Sequence, residues 1–141
     1  MRYRVVAVGR MKNAALRTAC NDYLERLQHY TRVDEQEVKD EARVLEAVGE
    51  DARLVALSRQ GRACSSGELA EWTARWEREG RDVAFAIGGA EALPRPVLER
   101  AAEVWSLSLL TLPHEVARLV LYEQLYRAYT LRRREPYHRG P

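Results

Sequence analysis

Side chains that could move a proton or bind a polyanion are concentrated near the carboxyl terminus of this 141-residue chain. Tyr137, His138 and Arg139 are consecutive, and His114 lies about two dozen positions earlier, at the start of a predicted helix. Histidine is the side chain best suited to general acid–base chemistry near neutral pH. Each histidine also has a plain structural explanation: His138 as a solvent-exposed tail residue, and His114 as a partner of the local backbone.

The same end of the chain is strongly basic. Although the whole chain carries a net charge of only +2, five arginines and a single glutamate lie between residues 127 and 141, so the remainder is slightly acidic. The run Arg132, Arg133 and Arg134 predicts contacts with RNA phosphates, which position a nucleic acid without reading its sequence. A solvated, frayed end of the chain is the alternative.

A second group of candidate residues follows apolar segments that resemble buried strands. Leu57 ends one such segment, and Gly88 and Gly89 follow another. In an open parallel sheet, ligands bind beyond the carboxyl ends of the strands, where glycine allows close approach to the backbone. The last predicted strand leads into six further candidates, Leu107, Ser108, Leu109, Leu110, Thr111 and Leu112. Taken alone, the two glycines are also compatible with a plain turn.

Several common kinds of site are not supported by the sequence. There is no glycine-rich dinucleotide fingerprint, no phosphate-binding loop and no paired-histidine zinc motif. Cys20 and Cys64 are isolated, so we predict two free, buried thiols and no metal site. No apolar run approaches the ~20 residues of a membrane-spanning helix. We therefore expect a cytoplasmic protein with no metal and no membrane partner.

Strand and helix patterns alternate along the chain, and these elements would position the candidate residues described above. Strands are predicted over 3–8, 33–38, 54–57, 83–87 and 105–110, and helices over 14–30, 40–48, 65–79, 96–102 and 113–131. Ser65 and Glu68 have the spacing of a capping box. This alternation predicts an α/β fold with an open, mainly parallel sheet and helices on both faces. We expect one domain over 1–141, with a basic tail from about residue 132.

The last predicted helix has more apolar surface than one buried stripe requires. Tyr122, Tyr126 and Tyr129 widen the stripe formed by its aliphatic residues. Such a helix has to be covered on two sides. A partner subunit is the simplest explanation, and deep burial within one chain is the alternative.

Five segments together resemble the RlmH family of bacterial 23S rRNA pseudouridine N3-methyltransferases, in order and along essentially the whole chain. The segments are VVAVG from residue 5, AIGGAE from 86, WSLSLLTLPH from 105, EQLYRA from 123 and EPYHR from 135. The chain departs from the family pattern at Ser58, Ala92 and Leu110. Ala92 affects the expected shape of the loop after the fourth strand, and Leu110 is a mild apolar change.

The resemblance implies properties that the residue patterns do not. It implies a SPOUT fold with a C-terminal trefoil knot, a homodimer, and S-adenosylmethionine as cofactor, bound by Leu57, Gly88 and residues 107–112, with Gly89 adjacent. The implied substrate is a pseudouridine of the position-1915 type in helix 69 of 23S rRNA, within the assembled 70S ribosome. We expect the tail of one subunit to reach over the cofactor pocket of the other.

The expected chemistry requires little from the protein beyond positioning. The methyl group of a sulfonium is already activated, so in-line alignment is the main requirement. The target imide nitrogen has to lose its proton, which gives Tyr137, His138, Arg139 and His114 their candidate catalytic roles. Three alternatives stay open: a SPOUT methyltransferase for another RNA nucleotide, a non-catalytic ribosome-binding factor, and a flavodoxin-like binding module.

Overall fold

The computed structural model describes residues 1–138, apart from the side chain of His138. It contains five strands and five α-helices, which alternate for most of the chain. The strands are β1 (Tyr3–Val8), β2 (Val33–Val38), β3 (Arg53–Ala63), β4 (Val83–Ile87) and β5 (Glu103–Ser106). The α-helices are α1 (Ala14–Leu27), α2 (Val44–Val48), α3 (Ser66–Glu79), α4 (Arg95–Arg100) and α5 (His114–Arg132). Short 3-10 turns cover Glu41–Arg43 and Pro136–His138.

The strands form one sheet in the order β2-β1-β4-β3-β5, and every neighbouring pair is parallel. One buried cluster combines the sheet with α1, α3 and α5, and a second lies on the other face with α2 and α4. Both faces are therefore covered, which explains why the strands are almost continuously apolar. The predicted α/β architecture is confirmed. All the strands end at a common edge, here called the carboxyl edge, and all begin at the opposite amino edge.

Strand β3 is longer than its apolar run. Residues 54–57 are buried, but pairing with β5 resumes at Arg62 and Ala63 after a register shift. The intervening backbone crosses β5 so closely that a Cβ on Gly61 would lie 2.6 Å from the carbonyl carbon of Trp105. Only glycine fits such an approach. Hydrophobicity predicted a strand only over residues 54–57, because the residues after Leu57 are polar.

Residues 105–110 are predicted as a strand or an extended segment, and only the first two of them are strand, because β5 ends at Ser106. The Ser106 hydroxyl donates to the Ser108 carbonyl, and the Ser108 hydroxyl accepts from the Leu110 amide. These local bonds turn the chain out of the sheet. Residues 107–112 are thus a loop at the carboxyl edge, although their leucines are typical of a strand or a buried helix.

Local signals placed most of the helix ends correctly. The capping box of Ser65 and Glu68 is present, and Gly80 ends α3 with a φ of 75°. Helix α1 ends at Leu27, three residues earlier than predicted, because residues 28–31 form hydrogen-bonded turns. Of the two predicted buried thiols, Cys20 is buried, while Cys64 is only partly buried.

Helix α5 packs between α1 and α3 on one face of the sheet. Its Arg118 is almost completely buried and forms ion pairs with Glu35 and Glu37 of β2. Arg17 of α1 also binds Glu35, with an Nη1–Oε1 distance of 2.7 Å, and the Tyr122 hydroxyl donates to the same carboxylate. A buried ionic cluster therefore joins both helices to the edge strand.

Among residues 1–138, no helix is long and apolar enough to cross a membrane. The same residues contain no group of three or more histidine, cysteine or acidic side chains placed to hold a metal ion.

Candidate functional site at the carboxyl edge

Three of the predicted binding segments meet at the carboxyl edge. Strands β4, β3 and β5 are neighbours in the sheet, and Leu57 is paired with Ile87 on one side and Trp105 on the other. The residues that follow these strands, Gly88 and Leu107, therefore lie beside Leu57. Sequence order separates them by up to 50 positions, but the parallel pairing brings them together.

Both glycines after β4 are required by close backbone packing. A Cβ on Gly88 would lie 2.8 Å from the carbonyl oxygen of Glu91, and one on Gly89 would lie 2.9 Å from that of Val8. Neither approach can be relieved by moving a flexible side chain. These contacts explain why glycine is needed at both positions of the loop after β4.

The loop after β5 presents apolar side chains to solvent. Leu109 is 95% exposed and Leu110 is 77% exposed, the two large hydrophobic residues so exposed among those described. Leu107 is partly buried against the core. Adjacent exposed leucines mark a surface that a ligand or another protein covers.

A cleft of about 150 Å³ opens beside this loop, between β3, β5, α3 and α5. Two predicted residues, Leu57 and Leu107, belong to its wall. The sequence did not indicate the others, because strands β4 and β5, the turn before α3, and helices α3 and α5 meet at this cleft only after folding; they include Cys64, Ser66, Phe85, Trp105, Ser106 and Gln124. Ligand pockets commonly measure ~300–1,000 Å³. A nucleoside-sized ligand seated here would therefore extend over the exposed loop.

The polar groups of this cleft are sparse and well defined. The Ser66 hydroxyl donates to the Gln124 side-chain oxygen at 2.5 Å. The buried indole nitrogen of Trp105 has no hydrogen-bond partner within the described part of the chain. Burial raises the pKa of the Cys64 thiol, so that group stays protonated at neutral pH. The cleft thus offers an apolar, aromatic surface with few directional polar groups, which suits a flat heterocycle.

His114 lies where α5 begins, directly after the exposed loop. Its side chain is 40% exposed, and its Nε2 is 3.9 Å from Glu115. Glu115 in turn accepts hydrogen bonds from the backbone amides of Lys12 and Asn13, at 3.2 and 3.0 Å. The Asn13 amide contributes most to lowering the pKa of this carboxyl. Glu115 therefore joins the loop after β1 to the start of α5.

Tyr137 packs against its own chain. Its ring meets Tyr126 edge-on at a centroid distance of 4.8 Å, and its hydroxyl donates to Glu123 at 2.9 Å. The Tyr23 hydroxyl is 2.8 Å away, and the Arg127 guanidinium lies over the Tyr137 ring. Up to Tyr137, the predicted basic tail therefore packs against helices of its own chain and is not a frayed end.

The environment of Tyr137 also defines its chemistry. Burial, followed by its hydrogen bonds to Tyr23 and Glu123, raises the pKa of the phenol well above its ordinary value. At neutral pH the phenol is thus a hydrogen-bond donor and not a proton acceptor. The remaining tail candidates, the side chain of His138 and the whole of Arg139, lie outside the described residues.

The three consecutive arginines lie far from the loops. Helix α5 runs from the carboxyl edge to the amino edge, and its 19 residues span about 28 Å at ~1.5 Å per residue. Arg132 is held by Glu77 at the amino edge, whereas Arg133 lies over the ring of Tyr30. Arg134 adopts a positive φ of 55°. The structure therefore separates the predicted RNA-binding arginines from the predicted cofactor residues.

Comparison with protein families gives one match that spans almost the whole chain. The family described as "Predicted SPOUT methyltransferase" matches residues 1–138. Its match includes every strand and helix described above.

Curated relatives align along their entire length. One from Anaeromyxobacter sp. (strain Fw109-5) is 43% identical over 99% of this chain and 100% of its own. One from Sorangium cellulosum is 47% identical over 97% of this chain and 99% of its own, and one from Cupriavidus metallidurans is 37% identical over 99% and 100%. Each is named "Ribosomal RNA large subunit methyltransferase H".

Among solved structures, a probable methylase family protein from Haemophilus influenzae superposes with a TM-score of 0.65. The superposition covers 98% of this chain and 70% of that one, at 12% sequence identity. At this identity the likeness concerns the fold alone.

Proposed function

The chain belongs to the SPOUT methyltransferase family, and from that premise we propose that it methylates N3 of a pseudouridine in 23S rRNA, using S-adenosylmethionine. The observation that carries this proposal is the carboxyl edge. Leu57, the glycine loop and residues 107–112 come together there, in a chain that aligns end to end with relatives named large-subunit rRNA methyltransferases.

The donor set at the carboxyl edge fits S-adenosylmethionine. An adenine ring needs an apolar slot with backbone hydrogen bonds, and the leucines of the loop, the glycine backbone and the Trp105 indole supply such a surface. When bound, this cofactor supplies a methyl group on a positively charged sulfur. Leu57, Gly88 and residues 107–112 would hold it, while Gly89 keeps the neighbouring backbone close.

The protein's own part in the reaction is to orient the base and accept its proton. The N3–H of pseudouridine is a weak nucleophile until that proton leaves. His138 and His114 are the candidate acceptors. Tyr137, kept protonated by its surroundings, is a candidate donor to a base oxygen, for which its O–H would have to leave Glu123. Arg139 is a candidate for stabilising the negative charge that develops on the deprotonated base.

We also propose that the active form is a homodimer. The exposed Leu109 and Leu110 support this proposal, because two adjacent leucines beside a small cleft are a surface that a second copy would cover. In the dimer, the tail of one subunit would complete the pocket of the other. The C-terminal trefoil knot that the family resemblance implies belongs to the same proposal.

The decisive experiment is methyl transfer to purified ribosomes. The protein is incubated with 70S particles and S-adenosylmethionine carrying an isotopically labelled methyl group, and the modified nucleotide is mapped by mass spectrometry of RNA fragments. We expect a single labelled 3-methylpseudouridine in 23S rRNA. Label on a different nucleotide would change the substrate assignment. Ribosome binding without any label would identify a non-catalytic factor.

A further inference from the structure

A second, larger cleft lies at the amino edge, at the opposite end of the strands from the candidate cofactor loops. It measures about 430 Å³ and is bounded by the turn between α1 and β2 and by the ends of α3 and α5. We call it the arginine cleft. The residues that carry the argument are Tyr30, Arg32, Glu77, Tyr129, Arg132 and Arg133.

The charges lining the arginine cleft are predominantly positive. Its wall contains three arginines and one glutamate. Arg132 and Glu77 neutralise one another through two hydrogen bonds, at 3.0 and 2.7 Å. Within residues 1–138, neither Arg32 nor Arg133 has a carboxylate oxygen within 4 Å. Two cationic groups therefore face the cleft without an acidic partner.

A pair of stacked tyrosines holds the guanidinium groups in place. The rings of Tyr30 and Tyr129 lie 5.6 Å apart at an angle of 20°. The Arg133 guanidinium carbon is 4.8 Å from the centre of the Tyr30 ring, and that of Arg132 is 5.0 Å from the Tyr129 ring. Guanidinium groups packed on aromatic rings keep their N–H edges available.

Hydrogen bonds fix the two rings themselves. The Tyr30 hydroxyl donates to Glu135 at 2.6 Å, and the Tyr129 hydroxyl donates to Glu77 at 2.7 Å. The Tyr3 hydroxyl lies 2.9 Å from that of Tyr129. The nearby Glu135 carboxylate thus accepts a hydrogen bond from the Tyr30 phenol. The cleft consequently resembles a preformed anion receptor, in which little side-chain freedom remains to be lost on binding.

We propose that the arginine cleft binds a phosphate group of the RNA backbone, through Arg32 and Arg133. This inference rests on the proposed function, and it adds a docking point about 28 Å from the methyl-transfer edge. A planar guanidinium matches the oxygens of a phosphate. Stacking of a base is disfavoured, because the faces of Tyr30 and Tyr129 already contact each other and the two guanidinium groups.

The proposal distinguishes residues that the sequence had grouped together. Arg132 serves the protein by binding Glu77, whereas Arg133 faces the cleft, and Arg32 joins it from 100 positions away. A contact to phosphate at this distance from the reacting atoms aligns the ribosome without taking part in the chemistry. It should therefore change KM for ribosomes and leave kcat and cofactor affinity unaltered.

The test compares the double variant R32A/R133A with R95A, whose arginine is highly exposed on α4 and paired with Glu99. Affinity for purified 70S ribosomes is measured over a series of salt concentrations. Each lost phosphate contact should make the slope of log K against log salt shallower by about 0.7–0.9. Because the cleft is proposed to hold one phosphate, we expect a change of about 0.7–0.9 for the double variant and none for R95A. The single variant R133K, which keeps a positive charge in the cleft, should change the salt slope less than the double variant does.

Two controls keep the outcome interpretable. Calorimetry with S-adenosylmethionine and a thermal melt establish that the double variant is folded and binds cofactor as the wild type does. A wild-type salt slope in the folded double variant would overturn the proposal. The proposal would also be overturned if inorganic phosphate, at constant ionic strength, raised the melting temperature of the wild type while the double variant kept the wild-type salt slope. The cleft would then bind a free anion and not RNA. If the salt slope changes but the wild-type protein transfers no methyl group to ribosomes, the results support phosphate binding by the arginine cleft and contradict the proposed methyltransferase activity.

Discussion

At the residue scale, the carboxyl edge requires two positions that have no side chain. Gly88 and Gly89 leave space in which two carbonyl oxygens approach the backbone. Tyr137 shows the opposite case, because its surroundings fix a proton on the phenol. Side-chain identity alone would have allowed Tyr137 to be an acid or a base; burial and its partners decide that it is a donor.

We predict that G89A weakens S-adenosylmethionine binding at least tenfold, because the added methyl group would lie 2.9 Å from the Val8 carbonyl oxygen and shift the loop. Calorimetric titration with the cofactor measures the loss. G67A is the matched control: a Cβ there meets no atom closer than 4.0 Å, and alanine favours the helix by up to about 1 kcal/mol. Equal cofactor affinity in both variants would show that the glycine loop is not part of the site.

At the element scale, the buried ionic cluster explains how α5 is held to an edge strand. Partial burial opposes ionisation of Glu37, but hydrogen bonds from Arg118 and the Met11 amide outweigh it and lower the pKa of the carboxyl. Glu37 therefore stays charged next to a guanidinium that is only 1% exposed. Breaking one partner of a buried pair commonly costs about 3–5 kcal/mol, since the other charge is left unpaired.

We predict that E37Q lowers the free energy of unfolding by about 2–3 kcal/mol, less than the full cost because Glu35 remains 3.6 Å from Arg118. Urea unfolding monitored by tryptophan fluorescence measures it. A carboxyl with a lowered pKa stabilises the fold above its ordinary pKa, and this stabilisation is lost as the pH falls through the lowered value. The difference between wild type and E37Q should therefore shrink as the pH decreases from 6 towards 3.

The control for this prediction is E99Q, which removes an exposed ion pair with Arg95 on α4. Such pairs contribute about 0–1 kcal/mol. An E37Q protein as stable as E99Q at pH 7 would show that the cluster does not hold α5.

At the scale of the whole molecule, the proposed homodimer would complete the candidate site. The cleft beside the loop is small, and Leu109 and Leu110 project from the surface next to it. The tail packs against α1 and α5 through Tyr137, on the helical face of the chain. A second copy is the partner that would both cover the leucines and bring a tail to the cleft.

We predict that L109D converts the protein from a dimer to a monomer at micromolar concentration and abolishes methyl transfer, because a charge would be buried in the interface. Light scattering coupled to gel filtration measures the mass. R95D places the same charge on an exposed site of α4 and should stay dimeric. A dimeric L109D protein would assign the leucines to cofactor or RNA instead of to a partner subunit.

The sequence by itself determined what depends on local patterns. Apolar runs alternating with helical patterns predicted the five parallel strands, and the spacing of Ser65 and Glu68 predicted the start of α3. Five segments, in order along the chain, resembled one methyltransferase family. These inferences succeed because hydrophobic periodicity and capping act over a few residues. The glycines and Leu57 could be selected as candidates for the same reason, since each follows a recognisable strand.

Only the tertiary structure decided what depends on residues far apart in the chain. It assigned residues 107–112 to a loop, continued β3 past its apolar run, and packed Tyr137 between two helices. It also divided three consecutive arginines, because α5 carries them to the amino edge, where Glu77 and Tyr30 bind different ones. Partners of this kind are chosen by the packing of whole elements, which no local pattern in the sequence encodes.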